Sequence, residues 1–226
     1  MKVLAVPAVA APSPSLPVAA LCGGVIVAGL VVDQHVAHGQ RIVDGVVAAV
    51  FSWLVWSADR QRRVLLLACL LFASAGEVFL SLVWGLYDYR FGNVPLFVPP
   101  GHALLLLLGM AVAARVQGCV AYLVPMVTLP VVVWQAIAGS DHFGALLFLL
   151  LVVATWRGRA RKLYAVMFVL AWAMELLGTS LGNWQWRAAV PWLQVRVANP
   201  PLCAGAFYVV LDLLVMSVVL RVPARG

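Results

Sequence analysis

Charge is what this chain has least of. Only 10% of its 226 residues are charged and 65% are hydrophobic, where a soluble globular domain carries about 25% charged residues. The runs 64–84, 102–114, 119–138 and 143–156 hold almost no charge. Such runs exclude an ordinary soluble domain and predict an all-α, polytopic helical membrane protein. Cysteine is also scarce. Cys22, Cys69, Cys119 and Cys203 all lie in apolar runs and form no CxxC pair, so neither a disulfide framework nor a structural zinc site is expected. His35, His38, His102 and His142 are scattered, too few for a histidine-rich di-iron centre. No HExxH or Walker sequence is present. Neither metal nor cofactor is expected on these grounds.

The net charge of +7 sits in short loops, where it is an orientation signal; no nucleic-acid partner is expected. Eight helices are predicted, at 16–33, 43–58, 63–86, 100–117, 119–138, 143–156, 161–182 and 200–220. Basic residues fall in "DRQRR" (59–63), at Arg115, in "RGRARK" (157–162) and in the C-terminal "RVPARG". With eight spans these share one side, so both termini are expected in the cytoplasm, of a bacterial inner-membrane protein. The start, "MKVLAVPAVAAPSPS", has only a short apolar stretch broken by Pro7 and reads as an uncleaved tail.

An internal repeat organises the rest. "GEVFLSLVWGLYDYRFGNVPLFVPPG" has a counterpart in "MELLGTSLGNWQWRAAVPWLQVRVANPPLCAG". Glu77 matches Glu175 at an offset of 98, and Gly85 and Arg90 match Gly182 and Arg187 at 97. Tyr87 and Tyr89 become Trp184 and Trp186, and Pro99-Pro100 become Pro200-Pro201. Four helices per unit give two halves of the same orientation. The expected units are a tail (1–15), a first four-helix repeat (16–118), a second (119–220) and a C-terminal tail (221–226). Trp192 and the prolines equally suit an interfacial aromatic belt with a stiff turn. That alternative leaves the glutamates unexplained.

Three acids lie well inside spans: Glu77, Glu175 and Asp212. No Lys or Arg lies deep in any span to pair with them. Intramembrane acids mark functional sites by default. The three are expected to face one cavity in the outer half of the bilayer, beneath the aromatic loops, with Arg90 and Arg187 snorkelling towards the glutamates. His102, just after Pro99-Pro100-Gly101, is a candidate acid/base partner; its counterpart, Leu202 or Cys203, marks divergence of the repeat. An acid that caps a neighbouring helix, or an interfacial histidine without a task, remains the plainer alternative.

A greasy, aromatic cavity with protonated carboxyls suits protonation of an alkene. Trp84, Tyr87, Tyr89, Trp184 and Trp186 would stabilise the carbocation, and a second carboxylate or a water would end the reaction. Glu77, Asp212, Glu175 and His102 are thus the candidate catalytic residues. The five aromatics with Arg90, Asn93, Arg187 and Asn199 are the candidate substrate contacts. The expected partners are a lipophilic small molecule and membrane lipid.

The spacing from Glu through Gly-x-aromatic-x-aromatic to a proline-led helix resembles membrane carotenoid hydratases and the heterodimeric and fungal lycopene cyclases. Those are small, duplicated helical proteins. The resemblance covers about 60 of the 226 residues and departs at the helix start, where the cyclases have Pro-x-Glu-Glu/Gln and this chain has Pro99-Pro100-Gly101-His102. Size, and an early Glu paired with an Asp in the last helix, are similar to integral-membrane terpene cyclases; Glu77 and Asp212 fit those roles. The resemblance implies an isoprenoid cyclase or hydratase. Intramembrane acids in a repeat also suit a small proton-coupled transporter, and a non-catalytic lipid-binding subunit is the third expectation.

Overall fold

In the computed structural model, residues 13–221 are described. The tail read at 1–15 and the basic end at 221–226 therefore lie almost wholly outside the described residues. Eight α-helices are present among them: α1 (Leu16–His35), α2 (Gly39–Ser57), α3 (Arg60–Glu77), α4 (Val98–Arg115), α5 (Val120–Ile137), α6 (His142–Arg157), α7 (Arg161–Leu181) and α8 (Gly205–Val219). Five helices are long and apolar enough to cross a membrane: α1, α3 with its continuation to Val83, α4, α5 and α7. Two shorter apolar helices, α6 and α8, accompany them.

Local chemistry sets the helix ends. Asp59 accepts from the Arg62 amide (2.9 Å) to cap α3, and Asp141 accepts from the Gly144 amide (2.9 Å) to cap α6; each satisfies an amide that the helix leaves open. Prolines occupy the first turns of α1 and α4, where a missing N–H costs nothing. The predicted helix 63–86 is not uniform. After Glu77 it continues as a π-helix, Val78–Val83, closed by the Trp84 amide on the Phe79 carbonyl at 2.7 Å. The last helix starts at Gly205 and not at 200. Residues 187–204 instead form an extended loop, bridged at Ala189 and Arg196, with positive φ at Trp192 and Gln194.

Packing places α3, α4, α7 and α8 in a ring, each against the next. Helices α1 and α2 lie against α4, and α5 and α6 against α7 and α8. Helix α4 is central: 61% of its apolar window is buried, against 11% for α5. The outer surface is apolar too, with Trp56 88% and Ile137 83% exposed. In water such a surface would be costly; in a bilayer it faces its own kind.

Two three-residue strands complete the fold: β1 (Tyr87–Tyr89) and β2 (Trp184–Trp186). They pair antiparallel, Tyr87 opposite Trp186 and Tyr89 opposite Trp184. Gly85 and Gly182, at φ of 71° and 82°, turn the chain from helix into strand in a conformation that other residues resist.

Candidate functional site

The site follows from the alternation of a strand. Successive side chains point to opposite faces, so Tyr87, Tyr89, Trp184 and Trp186 are buried while Asp88 and Gln185 are exposed. The buried four hang from the ribbon onto the two glutamates. Both phenols donate to Oε2 of Glu77, Tyr87 at 2.8 Å and Tyr89 at 2.7 Å. Both indoles donate to Oε2 of Glu175, Trp184 at 2.8 Å and Trp186 at 3.0 Å. Gly178 lets Trp184 lie on α7, since a Cβ there would run into the indole ring.

The second oxygen of each glutamate meets the ring α4–α8. Glu77 Oε1 lies 2.9 Å from His102 Nε2. Glu175 Oε1 accepts from the Tyr208 hydroxyl at 3.3 Å. The His102 and Tyr208 rings stack, with centroids 4.5 Å apart, so the cages touch through their third members. Each carboxyl oxygen is thus engaged, and a typical hydrogen bond of this kind contributes about 0.5–1.5 kcal/mol. His102 Nδ1 has no partner among the described residues.

Tyr87 and Tyr89, in the loop outside the spans, are held as neutral phenols. Burial, and then the charge of Glu77, push both well above the ordinary 10.0. They donate to Glu77 and do not compete with it for charge.

Two apolar cavities meet at this wall. The larger, about 310 Å³, is lined by Gly76, Phe79, Trp84, Trp186, Phe207 and Leu214 among others; the smaller, about 50 Å³, by Ile26, Gly29, Val47, Gly101 and Met174 among others. Glu77, Tyr87, His102, Glu175 and Tyr208 line both. The larger cavity includes Phe79, Leu150 and Leu214, which are also exposed on the apolar flank, so its mouth opens sideways.

Several expected roles change. Arg90 does not reach Glu77: it pairs with Asp33 at 3.2 Å, and its Nη2 also donates to the Asp33 carbonyl. Arg187 likewise turns away, forming a two-pronged pair with Asp88 at 3.0 Å for both contacts. Asp88 is exposed, so Arg187 stays in solvent when it engages that acid; Asp33 is itself buried and is shared by Arg90 and Asn183. Asp212 is buried but lines neither cavity. It lies one helical turn beyond Tyr208, within electrostatic reach of Cys69 and Tyr164, and its Oδ2 has no partner among the described residues. Asn199 binds the ribbon, accepting from the Trp186 amide at 3.0 Å. Asn93 is exposed and lines no cavity described here. Trp84 does line the larger cavity, anchored by its indole N–H on the Pro191 carbonyl at 3.2 Å and stacked on Trp192.

Arg90, Arg187 and Asn199 line a separate polar depression of about 570 Å³, which also reaches Asp88 and the edges of Tyr89, Trp184 and Trp186. Two residues matter that the sequence reading passed over. Tyr208 donates to Glu175 as the third member of its cage, although the repeat spacing puts Leu202 or Cys203 at the counterpart of His102. Asn183 donates to Asp33 at 2.6 Å and so ties the second loop to α1. Among the described residues no group of three or more His, Cys, Asp or Glu side chains is placed to hold a metal ion.

Searches of protein-family models, of curated proteins and of solved structures find no match to the chain.

Proposed function

We propose that the chain is an eight-span integral-membrane enzyme, built from two duplicated four-helix units, that protonates an alkene of a lipophilic isoprenoid and completes a cyclisation or hydration. The observation that carries this reading is the buried Glu77–His102 pair, set in the wall of an aromatic cavity whose mouth opens on the apolar flank. A proton-coupled carrier needs a polar path between the two membrane faces, whereas a lipid-modifying enzyme needs a sideways door.

The duplication has support beyond the glutamates. Asp44 and Asp141 lie 97 residues apart, and each accepts from a backbone amide shortly before a ring helix: Phe97 before α4 at 2.8 Å, and Leu202 before α8 at 2.8 Å. Arg60, Arg62, Arg63, Arg115, Arg157, Arg159, Arg161 and Lys162, eight of the 15 Lys and Arg residues, lie in or beside the turns α2–α3, α4–α5 and α6–α7, which supports placing that end in the cytoplasm. A bacterial inner membrane is the setting that this orientation suits.

The chemistry centres on one proton held between Glu77 Oε1 and His102 Nε2. In a low-dielectric site a net-neutral pair is favoured over an isolated charge. The alkene π electrons take a proton from this pair; a C–H bond forms as the acid's bond to hydrogen breaks. The cation on the neighbouring carbon rests against the faces of Trp84, Trp186, Tyr87 and Phe207. Return of a proton from an adjacent carbon to the pair gives a rearranged or cyclised alkene. Addition of water gives an alcohol, with the water's proton returning to the pair.

The test is isotopic. Membranes carrying the wild-type protein are incubated in D₂O with acyclic isoprenoid hydrocarbons, and the recovered lipids are weighed by mass spectrometry. Deuterium on carbon is expected with wild type and not with Glu77→Gln. Equal incorporation by both would sink the proposal. Proton flux in liposomes without any deuterium on carbon would point to a carrier instead.

A further inference from the structure

The two cavities are unequal and share one wall. Their sizes, about 310 and 50 Å³, differ too much for two equivalent ligands. The larger has the sideways mouth. The smaller lies between α1, α2, α4 and α7 and has room for a slim chain end only, since a single water needs about 10–15 Å³ of such space. The five shared residues, Glu77 and His102 among them, stand where the two meet.

From this arrangement we infer that the cavities are two lobes of one binding path for a single elongated, headgroup-free isoprenoid chain, and that the smaller lobe measures its leading end. The chain enters through the larger lobe, passes the Glu77–His102 wall, and stops in the smaller one. The inference deepens the reading above, on which it rests for the class of ligand. Its recognition is apolar on both sides of the wall, where Phe79, Leu214, Ile26 and Val47 line the lobes. The polar groups on the wall already hold one another, apart from His102 Nδ1. No Lys or Arg lines either lobe, so an anionic headgroup finds no fixed counter-charge there.

Two glycines set the free space. Gly101 lines the smaller lobe and Gly76 the larger, and a Cβ at either meets no atom within 4 Å. Gly29 also lines the smaller lobe, but a Cβ there comes within 3.1 Å of Val43. Gly101 and Gly76 are therefore the positions where added side chains occupy the path without straining the fold. Both lie in helices, where replacing glycine is favourable in itself.

The experiment uses the full-length protein in lipid nanodiscs with two probes, squalene and the shorter farnesene, and reads the retained hydrocarbon by mass spectrometry. Gly101→Leu is expected to lower squalene affinity about tenfold, the loss of roughly two buried methylenes, and to leave farnesene nearly unchanged, because the short chain fits the larger lobe. Gly76→Leu is expected to weaken both. Equal squalene binding by wild type and Gly101→Leu overturns the inference, as does a loss shared equally by both probes in that variant. Retention of a nanodisc phospholipid in place of squalene also overturns it. Thermal unfolding of each variant shows that a lost probe is not a lost fold. These binding readouts are independent of deuterium incorporation. If probes thread as expected but no deuterium reaches carbon, the chemistry fails and the binding path stands.

Discussion

The two glutamate cages share a plan and differ in chemistry. Glu77 is held by two phenols and an imidazole, Glu175 by two indoles and a phenol. An indole N–H donates and does nothing else, whereas an imidazole gives and takes protons near neutral pH. The same frame therefore holds one carboxyl that can exchange a proton with its neighbour and one that is fixed as an acceptor. In the proposed reaction the first half does the acid–base work. The second supplies shape and a fixed hydrogen-bond acceptor across the wall. In the proposed duplication the frame is common to both units, and the difference in ring type separates the roles.

That division can be broken by exchanging parts. The largest effect is expected from Glu77→Gln, which keeps an oxygen for the two phenols but removes the acid: turnover should fall by about 10²–10⁴ with the unfolding midpoint nearly unchanged. Glu175→Gln should leave most of the rate. A variant pair with the opposite ranking, measured by deuterium incorporation, would reverse the assignment. Glu175→Ala is a separate case, because it leaves three buried donors without a partner; a loss of about 3 kcal/mol in unfolding free energy is expected, and a loss within error would show that water or rearrangement replaces the carboxyl.

A finer exchange makes the first cage imitate the second. His102→Tyr retains a donor for Glu77 but no imidazole. Turnover should drop about a hundredfold, and the larger ring in a packed site should cost about 1–3 kcal/mol of stability. Retained turnover would show that the imidazole is only a support. Tyr87→Phe or Tyr89→Phe should cost about 1 kcal/mol of stability each, seen as a lower denaturation midpoint; no change would mean that these bonds are offset by water.

The smallest effect concerns pH. Tyr87 and Tyr89 have folded-state values raised well above the ordinary 10.0. The folded state thus keeps protons that the unfolded chain gives up. Their contribution is fully present below the ordinary value and is lost as pH rises from there through the folded values. Stability should fall in that alkaline window, and Tyr89→Phe should flatten the fall. An identical slope in the variant would remove the phenols as its cause.

Much of the frame was legible in the chain. Apolar runs locate the helices to within a few residues, and the shared offset links Glu77 with Glu175 in the sequence itself. What escaped was register that depends on loop geometry. The π-helical segment after Glu77 carries no marker residue, because its bonds change while its composition does not. Tyr208 was missed because the loop 187–204 shifts the second unit: Tyr208 lies 106 residues after His102, not about 101. Asp212 misled for a different reason. Depth can be counted along a helix, but whether a side chain faces a cavity or a packed neighbour depends on helix rotation, which an almost uniformly apolar helix such as α8 does not reveal.

The ribbon of β1 and β2 has a kinetic consequence. It covers the glutamates and ties both loops to them, so in the proposed enzyme the sideways mouth would serve arrival and departure alike. A catalyst with one door to the bilayer responds to the mole fraction of substrate among lipids and not to its aqueous concentration. Its product leaves into the same two-dimensional solvent and competes for the same door. Such traffic is relieved only when the membrane carries the product away.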